Sequence, residues 1–212
     1  FRVWHIEIFA IKDRYKKISD YLNKIDLHYF SEFTYVENGL LVNGQLLDTS
    51  RMKWVEGNLL KEFIASNLHS KPILEKLAEN FLLMINDLHK NNVSHGDLQH
   101  GNILITNSIE IKLVDYDSIC VPEIEGQDEV VTGLKGYQHP TRFTKGKSSS
   151  KADYFSELVI YLSILAISEN PTLWNKYDIA NTETLIFTPE DFLDWDNSNI
   201  KFDLNLMSKR VK

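Results

Sequence analysis

Apolar residues recur along this chain at two different spacings, and the spacings predict its elements. From Pro72 to Lys90, Leu74, Leu77, Phe81, Met84 and Leu88 follow one another at steps of three and four, which marks one face of a helix. Proline suits the first turn of such a helix. Asp13 to Lys24, with Tyr15, Ile18, Tyr21 and Leu22 on one side, predicts a second helix, and Asn58 to Ala65 a short third. Tyr154 to Ile167 is apolar on almost every side, as a helix at the centre of a folded unit requires. Thr188-Pro189-Glu190-Asp191 marks a further helix start, with threonine as cap and proline in the first position. Strand signals crowd the first part. Phe1 to Ala10 is rich in β-branched and aromatic residues and reads as a strand, and Phe33 to Val36 and Leu40 to Val42 flank the hairpin signal Glu37-Asn38-Gly39. A second hairpin is predicted where Ile103 to Ile105 and Ile109 to Val114 flank the turn residues Thr106-Asn107-Ser108. The pattern is that of an α+β chain, with a small β-rich first part and a larger, mainly helical second part.

Composition narrows the function classes. With 212 residues, 43% of them hydrophobic, the chain can bury a core as one large or two small domains without staples. A net charge of -7 and a pI near 5.5 argue against a nucleic-acid binder, because only the short pairs Lys16-Lys17 and Lys209-Arg210 are basic. The one cysteine, Cys120, excludes an intrachain disulfide framework and is expected to be a small buried residue in a reducing compartment. No apolar run approaches the roughly 20 residues of a membrane span, and no signal peptide is recognisable, so the expected location is cytoplasmic, with no membrane partner. Trp54, Trp174 and Trp195 are expected to be core or lobe-packing aromatics rather than stacking platforms for bases.

Candidate chemistry concentrates in Val93 to Ile105 and in Ile111 to Asp117. Centring the turn near Ser108 and Ile109 predicts Asn102 opposite Asp115, and cross-strand partners hold their Cβ atoms roughly 5 Å apart. An amide oxygen and a carboxylate would then converge at the open end of the hairpin. Two protein oxygens with room left for water and substrate phosphate suit magnesium better than zinc or a closed calcium cage. Asp97, in the loop feeding the first strand, is placed to accept the proton of an attacking hydroxyl. His95, His100 and His139 lack the spacing of a zinc site, and His95 is expected to pack under the loop.

These segments resemble the catalytic loop and metal-binding segment of the protein-kinase-like fold. His95-Gly96-Asp97-Leu98 stands where protein kinases carry His-Arg-Asp-Leu, Asn102 at the metal-binding asparagine, and Asp115-Tyr116-Asp117 in place of Asp-Phe-Gly. The whole is similar to a divergent, bacterial-type serine/threonine protein kinase catalytic domain. His-Gly-Asp followed by His and Gly-Asn is also the style of aminoglycoside and choline phosphotransferases. The resemblance implies a truncated N-lobe and hinge over residues 1–57, with the glycine-rich loop upstream of Phe1, and a helical C-lobe over 58–212. It implies that Arg51 to Leu59 runs from the last N-lobe strand into the hinge, with Met52 as gatekeeper and the backbone of Lys53 and Val55 on adenine. Arg2 falls at the nucleotide-binding lysine, where a forked guanidinium would grip phosphate differently. The following helix has no glutamate to pair with it, which leaves Asp13 or Asp20. Gly133 to Pro140 resembles the end of an activation segment. Lys151 to Ser156 resembles the start of the central helix, with Asp153 anchoring the catalytic-loop backbone and compatible with a helix cap. Gln99 replaces the usual lysine, and Leu134 and Thr141 stand at the signature threonine and glutamate.

By this resemblance the cofactors are ATP and Mg2+ and the partners a nucleotide and a protein acceptor. Asp97 and Asn102 are catalytic, Asn102 and Asp115 hold the metal, and His95 and Asp153 give structural support. Three functions stay open: a protein-kinase-like phosphotransferase, a small-molecule kinase of the aminoglycoside phosphotransferase type, and a pseudokinase serving as a binding or scaffold module. Residues 118–141 separate the first two. An irregular loop ending in an ordered Gly136-Tyr137-Gln138-His139-Pro140 corner near Asp153 would serve an extended peptide. A deep acid-lined pocket beside Asp97 would serve a small acceptor.

Overall fold

A computed structural model describes residues 2–3, 9–129, 131–144, 146–209 and 211, with side chains from residue 12 onward. The first part is a three-stranded antiparallel sheet with one helix. Strand β1 (Arg2–Val3) is followed by α1 (Phe9–Ile25), β2 (Phe33–Val42) and β3 (Gln45–Met52), and the strand order is β1-β3-β2. Among the described residues of the strand expected over Phe1 to Ala10, Arg2–Val3 pairs with β3, and α1 already begins at Phe9. Ile11 stands four residues before Tyr15, so the helical spacing runs further back than the β-branched composition suggested. Residues 1 and 4–8 lie outside the described residues.

The hairpin also reverses elsewhere than expected. Glu37-Asn38-Gly39 stays within β2, where the register to β3 shifts between Val36 and Leu40. The Asn38 N–H donates to Asp48 Oδ1 at 2.8 Å, so this first Asn-Gly forms a bulge held against β3. The turn is the next Asn-Gly, Asn43-Gly44, whose φ values of 49° and 81° are the paired positive angles of a two-residue hairpin.

Residues 53–57 lead from β3 into the larger part. It comprises β4 (Asn58–Leu59), α2 (Leu60–Ser66), α3 (Lys71–Lys90), β5 (Ile103–Ile105), β6 (Ile111–Leu113), α4 (Tyr154–Glu169), α5 (Leu173–Lys176), α6 (Pro189–Leu193) and α7 (Asn199–Asn205). The β4-β5-β6 sheet is antiparallel. Helix α3 buries Leu74, Leu77, Ala78, Phe81, Met84, Ile85 and Leu88, the stripe its sequence spacing predicts, and packs on α4. Helix α4 is buried on most of its circumference. At about 1.5–3 kcal/mol for each large apolar side chain buried, this pair is the main apolar support beneath the loops that follow. The two parts are joined by the Leu113 N–H donating to Tyr29 O at 2.8 Å and by Phe33 meeting the Tyr116 ring edge-on at 5.3 Å between centroids.

Cys120 and Trp174 are buried. Trp54 is not a core residue: it is 86% exposed, because it falls in the linker between the two sheets, which lies at the surface. Trp195 is also exposed. Among the described residues no helix is long and apolar enough to cross a membrane.

Candidate active site

The loop from Val93 to Asn102 is held from below by α4. Asp153, buried at the start of that helix, accepts from the His95 and Gly96 backbone N–H groups, the latter at 2.9 Å. Burial pushes its carboxyl above the usual range, against the pull of His95 and the two amides. His95 is buried and its Nε2 lies 2.8 Å from Val114 O, while its Nδ1 accepts from the Asp97 N–H at 3.3 Å. The tautomer with the proton on Nε2 satisfies both bonds. His95 thus ties the loop to the segment between β6 and Asp115. Gly96 has φ +79°, and a Cβ there would lie 2.2 Å from Ser118 O. The bare backbone is what allows the segment after Asp117 to pass so close.

Asp97 is half-buried. Its Oδ1 accepts from the Leu134 N–H at 2.9 Å, and its Oδ2 from Asn102 Nδ2 at 3.1 Å. Burial pushes its carboxyl up, the Leu134 amide, His95 and Asn102 pull it down, and nearby Asp115 raises it. Asn102 Nδ2 also donates to Asp97 O at 2.8 Å, so both amide hydrogens are committed and Oδ1 is the atom left for a cation.

The expected register of this hairpin is off by one residue. Ile103 pairs with Leu113 and Ile105 with Ile111, and the Val114 N–H donates to Asn102 O at 3.0 Å, so Asn102 lies opposite Val114 rather than Asp115. The turn is a three-residue one ending at Ile109, which adopts φ 62°, rare for a β-branched side chain. Its carbonyl accepts from Asn80 Nδ2 of α3 at 2.8 Å, a distant contact that the hairpin sequence does not contain. Asp115 nevertheless reaches the site because it too is left-handed, at φ 65° and ψ 80°, and bends the chain directly after β6. Asp115 is exposed and acts on Asp97 through space. An oxygen-only donor set of this kind fits a hard cation. Among the described residues no group of three or more His, Cys, Asp or Glu converges to hold a metal.

The other candidates divide. The Lys53 N–H donates to Glu32 O at 2.9 Å, and Met52 is partly exposed at the end of β3. Val55 lies in the linker that follows. The Arg2 backbone pairs with Ser50, and its side chain lies outside the described residues. Neither Asp13 nor Asp20 turns inward: both are exposed, and Asp13 pairs with Lys17. The inward stripe of α1 instead carries Arg14 and Tyr15, whose polar contacts sequence reasoning missed. Arg14 is 3% exposed and donates to Ile119 O at 3.0 Å and Ser148 Oγ at 3.1 Å; the Tyr15 hydroxyl donates to Asp117 Oδ1. The signal was present, because Arg14 stands four residues before Ile18 on the apolar stripe.

Two further residues stabilise the loop without charge. Gln99 Oε1 accepts from the Gly101 N–H at 2.7 Å, closing the turn that carries Asn102. The Tyr137 hydroxyl accepts from the Leu185 N–H at 3.0 Å and donates to His100 Nδ1 at 2.9 Å. Burial, with Lys61 nearby, holds His100 down at about 4, which favours a neutral ring.

A family profile described as protein kinase domain matches residues 50–202, and the chain belongs to that family. The small sheet-bearing part and mainly helical remainder are the kinase-like arrangement. Over 189 residues, 85% of this chain, it is 26% identical to the phosphorylase b kinase gamma catalytic chain, liver/testis isoform, of Rattus norvegicus; that stretch is 43% of the rat protein. It is 29% identical over 119 residues to the serine/threonine-protein kinase PrkC of Bacillus subtilis, covering 54% of this chain and 18% of PrkC. It is 36% identical over 95 residues to the serine/threonine-protein kinase cds1 of Schizosaccharomyces pombe, covering 42% of this chain and 20% of that kinase. These likenesses support protein-kinase-like phosphotransfer and specify no acceptor.

Proposed function

We propose that this chain moves the γ-phosphate of ATP to a hydroxyl on a protein acceptor. Asp97 takes the hydroxyl proton as the acceptor oxygen bonds to the γ-phosphorus and the bond from that phosphorus to the ADP oxygen breaks. Asn102 Oδ1 and Asp115 hold Mg2+, which when bound neutralises phosphate charge. The backbone of Lys53 and Val55 meets adenine, Met52 closes the back of that pocket, and Arg2 grips a phosphate. Residues 1–57 serve as the N-lobe and hinge and 58–212 as the C-lobe.

The observation that carries the reading is the Leu134 N–H resting on Asp97 Oδ1 at 2.9 Å. It supports a protein acceptor over a small-molecule one, because residues 118–141 then form a platform beside the base instead of folding away. The corner after Leu134 is fastened to α4, where Ser156 Oγ donates to Tyr137 O at 2.6 Å.

The test pairs nucleotide titration with transfer of labelled γ-phosphate to casein. ATP is expected to bind more tightly with magnesium than without, and Asp97→Asn to abolish transfer while keeping ATP affinity. Equal affinity with and without magnesium would sink the Asn102 and Asp115 assignment, and full transfer by Asp97→Asn would exclude the base. ATP binding without transfer by the unmodified protein would favour the scaffold alternative.

A further inference from the structure

The backbone that faces Asp97 is unusually confined. At Gly133, φ +86°, an added Cβ would lie 2.8 Å from Asp97 Oδ1 and 2.8 Å from Gln138 Nε2, so a side chain would push the segment off the carboxylate. Leu134 follows, its side chain packed against the core and its N–H on Asp97. The Tyr137 N–H donates back to Leu134 O at 3.2 Å, which closes a turn around that amide. The turn is in turn secured by a buried ion pair. Arg142 donates through Nη1 to Gln138 Oε1, and through Nε and Nη2 to Glu129 Oε1 at 3.0 and 2.8 Å. The Arg142 and Glu129 side chains are only 11% and 5% exposed, which makes this a rigid support rather than a screened surface contact. Leu134 has no polar side-chain atom to offer the base, so its main chain is the group that touches Asp97.

We infer that the Leu134 backbone N–H is a positioning group for phosphotransfer, orienting the Asp97 carboxylate toward the acceptor hydroxyl, and that the Glu129–Arg142 pair transmits the order of residues 118–141 to the base through it. The inference rests on Asp97 being the base. It predicts that catalysis, not nucleotide binding, depends on the amide. Loss of one fixed donor at a reacting group typically lowers turnover by roughly 10- to 100-fold.

Replacing Leu134 by its α-hydroxy acid through nonsense suppression exchanges the N–H for an ester oxygen and leaves the side chain intact. The expected result is a kcat for transfer to casein lowered by roughly 10- to 100-fold, with the KM for ATP within about twofold of the unmodified protein. Arg142→Met, remote from nucleotide, should lower kcat in the same selective way. An ester variant with full kcat, in a preparation where Asp97→Asn is inactive, would overturn the inference and leave the base assignment standing. Full activity of Asp97→Asn would overturn the base assignment, and this inference with it.

Discussion

Restoring the arginine that protein kinases carry between the histidine and aspartate of the catalytic loop should damage this protein. Gly96→Arg places a Cβ 2.2 Å from Ser118 O, a backbone atom that no side-chain rotation can move aside. A left-handed conformation at a residue with a Cβ costs about 1–2 kcal/mol. Relieving the overlap by shifting packed backbone costs about 1–3 kcal/mol more. The shift also pulls on the 2.9 Å bond from the Gly96 N–H to the buried Asp153 carboxyl, and a bond to such a group contributes about 1.5–3 kcal/mol. The sum is about 4–8 kcal/mol, a large part of the roughly 5–15 kcal/mol that holds a domain together. For a chain of this size each kcal/mol moves the melting midpoint by roughly 2–4 °C, so Gly96→Arg should melt at least about 8 °C lower. Gly96→Ala should lose most of the same amount, since the first carbon makes the clash. Differential scanning calorimetry of both variants is the assay. A Gly96→Arg protein that melts within about 2 °C of the unmodified one, or transfers phosphate faster, would refute the reasoning.

Two further outcomes follow from buried polar contacts. Tyr15→Phe removes the donor to Asp117 Oδ1, a buried bond to a carboxylate, and should lower stability by about 1.5–3 kcal/mol in urea unfolding; an unchanged midpoint would show that the bond contributes nothing. Glu157, 9% exposed on its side chain and within 2.9 Å of His89 Nε2, is pushed from its ordinary 4.5 to about 8 by burial, with Asp153 adding to the rise. The folded state therefore holds this proton more tightly than the unfolded chain, so its contribution is greatest below 4.5 and declines as pH climbs toward 8, by up to about 1.4 kcal/mol per unit. Glu157→Gln should flatten that decline between pH 5.5 and 7.5, and an identical slope in both proteins would contradict it.

What the chain discloses in advance depends on how local the determining contacts are. Helices α3 and α4 were legible because each carries its own burial pattern over sixteen or more residues. The hairpin register was not, because Asn80 of α3 holds Ile109 in a conformation its own type disfavours, and a one-residue slip exchanges the faces of every partner. The first Asn-Gly was misjudged on similar grounds: its dipeptide suits a turn, but Asp48 across the sheet captures its amide and makes it a bulge. Local chemistry was read correctly in both cases and tertiary contacts decided the geometry.

The departures from the kinase pattern also make sense together. Gly96 lacks the arginine, Gln99 lacks the lysine, and Leu134 lacks the threonine hydroxyl, so three polar groups of the kinase pattern are missing from the loop that carries Asp97 and the segment that faces it. Each is replaced by main chain or by a neutral cap. Ser118 O occupies the space above Gly96, Gln99 closes the turn on Gly101, and the Leu134 amide meets Asp97 directly. The charge that remains sits one layer out, where Arg14 of α1 reaches Ile119 O and Ser148, and Arg142 reaches Glu129. Both cations bind atoms that the fold itself supplies: Arg14 fastens Ile119 and Ser148 to α1, Arg142 ties Glu129 to Gln138 within the segment, and the bond to α4 is the neutral one from Ser156 to Tyr137 O. Orientation of the Asp97 carboxylate therefore derives from packed backbone, and a single methyl group at 96 or 133 would disturb it more than the loss of a surface charge.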